Sequence, residues 1–397
     1  MVYWRHEPAG FAPLRASSPT TGASETPVVY FDLETMGFDS FIGNPEAVAA
    51  VREMLARDRI PGALLFAGPD GVGKKTLALM LAKALVCERG GADFCDQCAR
   101  CRKAEQMFAA AREDLAQRRE SKDSARRVAG LVYFDLQIIE PLTKFILTEQ
   151  IRQLRVVAYT RPFEFRRRIF IVDEAQTIHW QAVDLLLKVL EEPPPTTSFI
   201  LICPNAFELR STIRSRCTRL TFQPVANSLV EDLLAREKKL TGTEKALAAR
   251  VAAGSVARAR AFDLSGYQLR RQPWLDFLEA LTRRGAAAAG VDWRLLFDSA
   301  RALAENRGDF EETLKVGYSL LADLLHLLLD STADGVVNID LTARLRNWAP
   351  KLTLAGIEKL KVGLDQAYRL QIRNVNPQLG FEVLGIEAMS AGPLSSP

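Results

Sequence analysis

A glycine-rich octapeptide, GPDGVGKK at residues 68–75, constrains the fold of this chain more than any other segment. The apolar run before it predicts a short buried strand over 62–67, and the apolar-faced segment after it predicts a helix over 76–86. Strand, glycine loop and helix in this order are typical of a phosphate-binding loop, in which backbone N–H groups wrap phosphate oxygens. The alternative, a glycine turn with no role in phosphate binding, would not require the flanking strand and helix.

The loop departs from the G-x-x-x-x-G-K-[ST] pattern at a single position. Lys75 replaces the hydroxyl residue that normally ligates Mg²⁺, and a second ammonium there would repel the metal. Thr76 lies one residue further along the helix, which rotates its side chain by about 100° and does not restore the ligand. The sequence therefore predicts bound ATP or ADP, no firm Mg²⁺ site, and weak or absent hydrolysis. The residues predicted to contact nucleotide in this segment are Gly68, Gly71, Gly73, Lys74, Lys75 and Thr76.

Polar side chains follow two further predicted strands. The strand over 168–172 ends in Asp173 and Glu174. Beside a phosphate loop, one carboxylate can face Mg²⁺ and the next can polarise water, so Asp173 is the candidate metal ligand and Glu174 the candidate base. Capping of the next helix is the alternative role for this pair. Asn205 follows the strand over 198–203, at the sheet edge where ligands of doubly wound folds bind.

Four of the six cysteines lie close together, and the last three of them form two consecutive C-x-x-C spacings. In a reducing cytoplasm such thiols more often bind a metal than form disulfides, and four thiolates around a tetrahedral ion are a usual structural zinc site. A redox role and an iron–sulfur cluster are the alternatives. The predicted zinc ligands, within a module over 87–101, are Cys87, Cys95, Cys98 and Cys101.

The hydrophobic pattern predicts three folded regions after a flexible extension. Short strands alternate with helices in the first region, which is typical of an α/β domain with a mainly parallel sheet. A charged, alanine-rich helical segment within it is interpreted as a surface insertion. Strand signals then vanish, and the turn-rich Ser265-Gly-Tyr separates a small helical region from a larger one. The predicted boundaries are 1–35 for the extension, 36–223 for the α/β domain, 102–127 for the insertion, 224–265 for the small helical domain and 266–397 for the last domain.

Composition excludes few functional classes. The net charge of +4 and the isoelectric point near 8.7 are too weakly basic to indicate nucleic-acid binding by themselves. The sequence contains neither an uninterrupted apolar run of about 18 residues nor the basic-then-apolar order of a secretory signal. A cytoplasmic location is therefore expected.

Several motifs together resemble the clamp-loader ATPases of the AAA+ class. They are the glycine loop with the cysteine cluster after its helix, Asp-Glu-Ala at 173–175, LLKVLEEPP at 186–194, Ser-Arg-Cys at 215–217 and Gly-Ser-Val-Ala-Arg at 254–258. The resemblance covers nearly the whole chain from Met36 onward. The loss of the hydroxyl at Lys75 resembles the delta prime chains of bacterial DNA polymerase III, which tolerate changes at that position.

The resemblance implies an AAA+ nucleotide-binding domain, a helical lid and a helical collar that joins subunits into a hetero-oligomeric ring. The implied partners are gamma or tau and delta subunits, with the sliding clamp and primed DNA contacted through the assembly. Arg216 would act on a neighbour's ATP as an arginine finger, because its fixed planar charge can meet developing phosphate charge. Asn205 and Arg258 would be the first and second nucleotide sensors. The chain itself would be a scaffold that does not hydrolyse ATP.

Three alternatives remain open. The chain could be a catalytic clamp-loader ATPase of the gamma or tau type, in which Thr76 or a water-bridged Mg²⁺ replaces the missing ligand. It could be a zinc-dependent nucleic-acid-binding module with a vestigial loop, although the run Arg166–Arg168 is most simply interpreted as a solvated lead into the strand. Arg216 could form only a salt bridge at a strand end.

Overall fold

The computed structural model describes residues 37–121, 135–282, 292–305, 309–330, 334–372 and 376–390. The predicted extension over 1–35 and the last part of the predicted insertion, 122–127, lie outside these residues. Within the described ranges the chain forms a five-stranded sheet with helices on both faces, followed by a helical C-terminal part.

All five strands are parallel and lie in the order β2-β3-β4-β1-β5. Every residue of β1, β3 and β4 is buried, as expected for apolar strands covered on both faces. The strands predicted over 62–67, 168–172 and 198–203 are confirmed. The bounds are β1 (Ala63–Ala67), β2 (Leu136–Ile139), β3 (Arg168–Val172), β4 (Thr197–Cys203) and β5 (Thr218–Thr221).

Helices cover the sheet on two sides. One face is covered by α1 (Pro45–Ala56), α2 (Lys74–Val86) and α3 (Ala99–Glu120). The other face is covered by α4 (Thr148–Ala158) and α5 (Val183–Glu191), and the short α6 (Ser211–Arg214) precedes β5. Successive strand side chains point to opposite faces, so Leu64 packs with the first group of helices and Leu65 with the second. The predicted α/β class is confirmed.

The helix predicted as a surface insertion over 102–127 is part of the core. Its described portion is α3, which begins three residues before the predicted start and packs on α2 and β2. This helix buries one face, but its sequence gives no clear apolar stripe, because that face is made partly of small alanine side chains and charged residues are scattered along the segment. The buried side chains are Cys101, Ala104, Met107, Phe108, Ala111 and Leu115.

The basic run Arg166–Arg168 is solvated only in part. Arg166 is exposed, but Arg168 is the first residue of β3 and is among the largest fully buried side chains. Its guanidinium forms an ion pair of 3.2 Å with Asp135, which is itself fully buried. The interpretation of the whole run as a solvated lead into the strand is therefore wrong at Arg168.

After β5 no further strand occurs among the described residues. Helices α7, α8 and α9 pack around a small cluster that includes Val230, Leu234 and Ala248. The remaining helices share a larger core that includes Trp274 and Phe381, whose rings pack edge to face. The helix bounds are α7 (Asn227–Glu237), α8 (Gly242–Ala252), α9 (Val256–Ala261), α10 (Leu264–Thr282), α11 (Trp293–Glu305), α12 (Phe310–Leu329), α13 (Thr342–Trp348), α14 (Leu354–Ile372) and α15 (Pro377–Ser390).

The turn predicted at Ser265-Gly-Tyr is wrong, because these residues form the first turn of α10. The carboxylate of Asp263 accepts hydrogen bonds from the N–H groups of Ser265 (3.1 Å) and Gly266 (3.0 Å), which satisfies two amides of the helix start. None of the described helices is both long and apolar enough to cross a membrane.

Candidate phosphate loop, acidic cluster and cysteine centre

The glycine loop joins β1 to α2 and has the backbone that its sequence predicts. Gly68, Gly71 and Gly73 have φ values of 157°, 77° and 100°, which side chains rarely allow. The loop is also closely packed, since a Cβ atom at Gly71 would lie 2.0 Å from the hydroxyl oxygen of Ser255. The N–H of Ala257 in α9 donates to the carbonyl of Gly71 at 3.2 Å. The loop therefore has the shape of a phosphate cradle and contacts the small helical region directly.

Lys74, the lysine of the loop pattern, lies buried against its own loop. Its ammonium donates to the carbonyl oxygens of Gly68 and Pro69 (2.7 Å for Pro69) and lies 3.5 Å from a carboxylate oxygen of Asp70. Burial lowers the pKa of Lys74 despite the nearby carboxylates. To reach a bound phosphate, this ammonium would exchange the two carbonyl contacts for phosphate oxygens.

Lys75 points in a different direction, toward the carboxyl ends of β2 and β3. Its ammonium contacts Glu140 and lies 3.2 Å from a carboxylate oxygen of Asp173. Burial alone would lower the pKa of Lys75, but the negative charges of Asp173 and Glu140 outweigh it and raise the pKa. The candidate metal ligand thus faces a lysine, and these residues do not fit Mg²⁺.

Sequence reasoning missed Glu140. It directly follows β2, whose Ile139 is in register with Val172 of β3, so Glu140 and Asp173 leave adjacent strands side by side. Glu140 is buried, and its second carboxylate oxygen accepts a hydrogen bond of 2.9 Å from Arg119 of α3. The signal in the sequence was an acidic residue after the short, mostly apolar run Leu136–Ile139, and it is a weak one.

Glu174, the candidate base, is exposed beside this cluster and has a left-handed backbone with φ of 51°. Its N–H donates to the carboxylate of Asp173 at 3.0 Å. Desolvation, together with the negative charges of Asp173 and Glu140, raises the pKa of Glu174. The three carboxylates therefore form one electrostatic cluster, with Lys75 and Arg119 as its cations.

Both predicted sensors have exposed side chains. Asn205 follows β4 and is exposed, and its side-chain oxygen accepts a hydrogen bond of 3.0 Å from the N–H of Phe207. Arg258 is exposed on α9, next to the residue that donates to Gly71. Thr76 is half-buried in the first turn of α2. The structure therefore brings Asp173 and Lys75 into contact and places Arg258 on the helix that touches the loop.

Arg216, the candidate finger, lies on the exposed segment between α6 and β5. Its guanidinium forms a 2.6 Å ion pair with Glu191 at the end of α5 and donates to the carbonyl of Thr212 at 2.8 Å. The salt bridge that was the alternative prediction for this residue is therefore present. Both side chains of the pair remain partly solvent-exposed.

The four clustered cysteines converge at the start of α3. All four Sγ atoms, of Cys87, Cys95, Cys98 and Cys101, lie within 4.8 Å of one another. Tetrahedral thiolates at about 2.3 Å from a zinc ion would be about 3.8 Å apart, so the donor set fits a closed four-coordinate site.

The backbone also supports thiolate at this centre. The N–H groups of Cys98 and Cys101 donate to the sulfur atoms of Cys95 (3.4 Å) and Cys98 (3.3 Å). Burial raises the pKa of Cys98, but hydrogen bonds from the N–H groups of Glu88 and Cys101 and from the neighbouring thiols outweigh it and lower the pKa to about 6. By contrast, burial raises the pKa of Cys203 to about 11 and of Cys217 to about 12, as expected for packed thiols.

The sheet order, the glycine loop and the carboxylates after β3 define a P-loop domain with a parallel α/β fold. Residues 43–226 match the family model described as DNA polymerase III, delta subunit. The DNA polymerase III subunit delta' of Bacillus subtilis (strain 168) is 30% identical over 190 residues, which are 48% of this chain and 50% of that protein. The DNA polymerase III subunit gamma/tau of Mycoplasma pneumoniae is 28% identical over 208 residues, 52% of this chain and 27% of that protein.

Through this matched region, the chain is similar to clamp-loader subunits of DNA polymerase III. It spans half or less of the length of these two relatives. Among solved structures, a DNA polymerase III gamma subunit-related protein of Thermotoga maritima is 15% identical, with a TM-score of 0.42 and coverage of 87% of this chain and 99% of that one. The RuvB Holliday junction branch migration motor of Thermotoga maritima is 13% identical, with a TM-score of 0.39 and coverage of 81% and 92%.

Proposed function

We propose that this chain is a delta prime-like subunit of the bacterial replicative clamp loader. It would act as a scaffold that does not hydrolyse ATP at its own loop, and it would help to load the sliding clamp onto primed DNA. Support comes from the delta subunit family model over 43–226 and from the similarity to a delta' subunit. Both delta' and gamma/tau relatives match, so the choice between them depends on the site.

The observation that carries the proposal is the contact between Lys75 and Asp173. Phosphoryl transfer in P-loop proteins depends on Mg²⁺ held by the loop hydroxyl and the carboxylate after β3. Here the hydroxyl is absent and the carboxylate is paired with an ammonium. ATP or ADP would bind in the glycine cradle through Lys74, with Asn205 and Arg258 as sensors, but without the group that polarises the γ-phosphate.

Arg216 is proposed as a finger that acts on the ATP of a neighbouring subunit. To do so, Arg216 would break its ion pair with Glu191. Because the pair is partly exposed, breaking it costs little free energy. Exposed ion pairs contribute about 0–1 kcal/mol, whereas a guanidinium at the γ-phosphate of a desolvated site contributes far more. Glu191 would thus hold the finger in place until the neighbour is seated.

The remaining assignments concern assembly and structure. The proposed domains are 36–223 for the AAA+ domain, 224–265 for the lid and 266–397 for the collar. The collar would join gamma or tau and delta subunits in a ring, and α15 carries a suitable exposed apolar stripe at Leu379, Val383 and Ile386. The four-cysteine centre would hold a structural zinc ion that fixes the start of α3. A cytoplasmic location follows from the replication role.

A catalytic clamp-loader ATPase of the gamma or tau type is the second candidate. The retained Lys74 and Asp173 favour it, and so does the raised pKa of Glu174, which brings that carboxyl nearer to the range useful for a base. A catalytic role requires Lys75 to leave Asp173 when nucleotide binds. The ion pairs with both carboxylates oppose that movement.

ATP turnover by the purified full-length chain distinguishes the two candidates. The scaffold proposal predicts that the wild-type chain with Mg²⁺ hydrolyses ATP no faster than the Glu174→Gln variant. Robust Mg²⁺-dependent turnover that Glu174→Gln abolishes would establish the catalytic type instead.

A further inference from the structure

We infer that Lys75 is a built-in cation that replaces the divalent metal of the phosphate loop, and that Glu140 is the residue that keeps it there. The inference rests on the proposed assignment of this loop and adds a residue pair that determines its ion specificity. The loop residues do not fit Mg²⁺, because the ammonium of Lys75 takes the place of that cation.

The geometry places one cation between two carboxylates. Glu140 and Asp173 leave the adjacent strands β2 and β3 at the same register level, and the ammonium of Lys75 contacts both. Glu140 is buried, so its charge would be costly without partners. Lys75 and Arg119 each contact a different oxygen of that carboxylate.

The surrounding charges explain why a lysine is stable here. Glu174 adjoins the carboxylates of Glu140 and Asp173, and desolvation together with these two negative charges raises the pKa of Glu174. With the two cations Lys75 and Arg119, the cluster has a net charge of one negative unit. Without Lys75, the same cluster would have two uncompensated negative charges at the edge where a hard divalent cation could bind oxygen ligands.

Glu140 makes the exchange of cations unfavourable. Because one nitrogen atom makes both contacts, a metal that drove the ammonium of Lys75 out of the cluster would remove it from Glu140 as well as from Asp173. A carboxylate left with Arg119 alone would lose half of its charge compensation in a buried position. Any nucleotide that binds in the cradle would therefore be held without a metal.

Mn²⁺ binding to the isolated full-length chain tests the inference. Binding is measured as the loss of the free-ion signal in electron paramagnetic resonance. Lys75→Thr restores the loop hydroxyl, Lys75→Thr with Glu140→Gln also removes the charge of Glu140, and Lys75→Arg keeps the positive charge. Lys75→Gln is a further variant that removes the charge but keeps an unbranched polar side chain, in case the threonine variant does not fold. Circular dichroism checks the folding of each variant.

We expect Lys75→Thr to bind Mn²⁺ at least about tenfold more tightly than the wild type, which corresponds to about 1.4 kcal/mol. Most of that gain should disappear in the double variant, and Lys75→Arg should behave as the wild type. Lys75→Gln should also bind more tightly than the wild type. Equal affinities of the wild type and a folded Lys75→Thr or Lys75→Gln variant would overturn the inference, as would a gain that does not depend on Glu140.

The measurement does not depend on the assembled ring. Tight Mn²⁺ binding by the wild-type chain would overturn the inference even if every variant failed to fold. A failure of the clamp-loader assignment would appear instead in subunit assembly or in ATP turnover, while the Mn²⁺ result would still stand.

Discussion

Replacement of Asp135 by alanine should open the segment before β3, because this buried carboxylate organises it. Asp135 accepts hydrogen bonds from the N–H groups of Phe163, Glu164 and Phe165, at 2.7–2.9 Å, and forms the 3.2 Å ion pair with Arg168. Removing one partner of a buried ion pair typically costs about 3–5 kcal/mol, since the remaining charge is left uncompensated. Arg168 keeps donating to the carbonyls of Thr160 and Arg161, so we expect a cost of about 4 kcal/mol.

Hydrogen exchange measured by mass spectrometry reports this cost directly at the amides of residues 163–165. A change of about 4 kcal/mol should accelerate their exchange about a thousandfold. Asp39→Ala is the matched control, because Asp39 is 74% exposed in its ion pair with Arg52 and should change local stability by no more than about 1 kcal/mol. Acceleration by less than about tenfold in a folded Asp135→Ala variant would show that the carboxylate does not hold this segment.

Two further predictions concern the cysteine centre and the glycine loop. The purified chain should contain about one zinc ion. Cys101→Ser should remove this metal and lower the melting temperature, whereas Cys217→Ser should retain the metal. Equal zinc content in the two variants would refute the site. Gly71→Ala should destabilise the chain by about 2 kcal/mol, since it combines a left-handed backbone with a contact on Ser255. Gly90→Ala shares only the backbone conformation and should cost about 1 kcal/mol, so equal melting temperatures would contradict the packing argument.

The parts of the fold that the sequence predicts correctly are those with strong local signals. The strand 168–172 is a continuous apolar run after its first residue, and the glycine loop has fixed spacing, so neither depends on distant contacts. The four cysteines likewise lie within one short segment, and their convergence needs only a local turn. The α/β class and the candidate carboxylates follow from these features.

The features that the sequence does not predict depend on tertiary contacts. Glu140 is far from the loop in sequence, and the pairing of β2 with β3 brings it to Lys75. The burial of Arg168 likewise depends on Asp135 from a different strand segment. The start of α10 at Leu264 depends on the carboxylate of Asp263, which provides acceptors where the composition suggested a turn.

We propose that this chain supplies an arginine to a neighbour rather than hydrolysing ATP itself. ATP hydrolysis by a reconstituted clamp loader, stimulated by clamp and primed DNA, tests it most directly when wild type and Arg216→Ala are compared at matched assembly. Arg219→Ala, an exposed arginine on β5, is the control. The finger role predicts a large loss of ATP hydrolysis for Arg216→Ala in an intact ring and no loss for Arg219→Ala. Unchanged hydrolysis with Arg216→Ala in an intact ring would contradict the finger role.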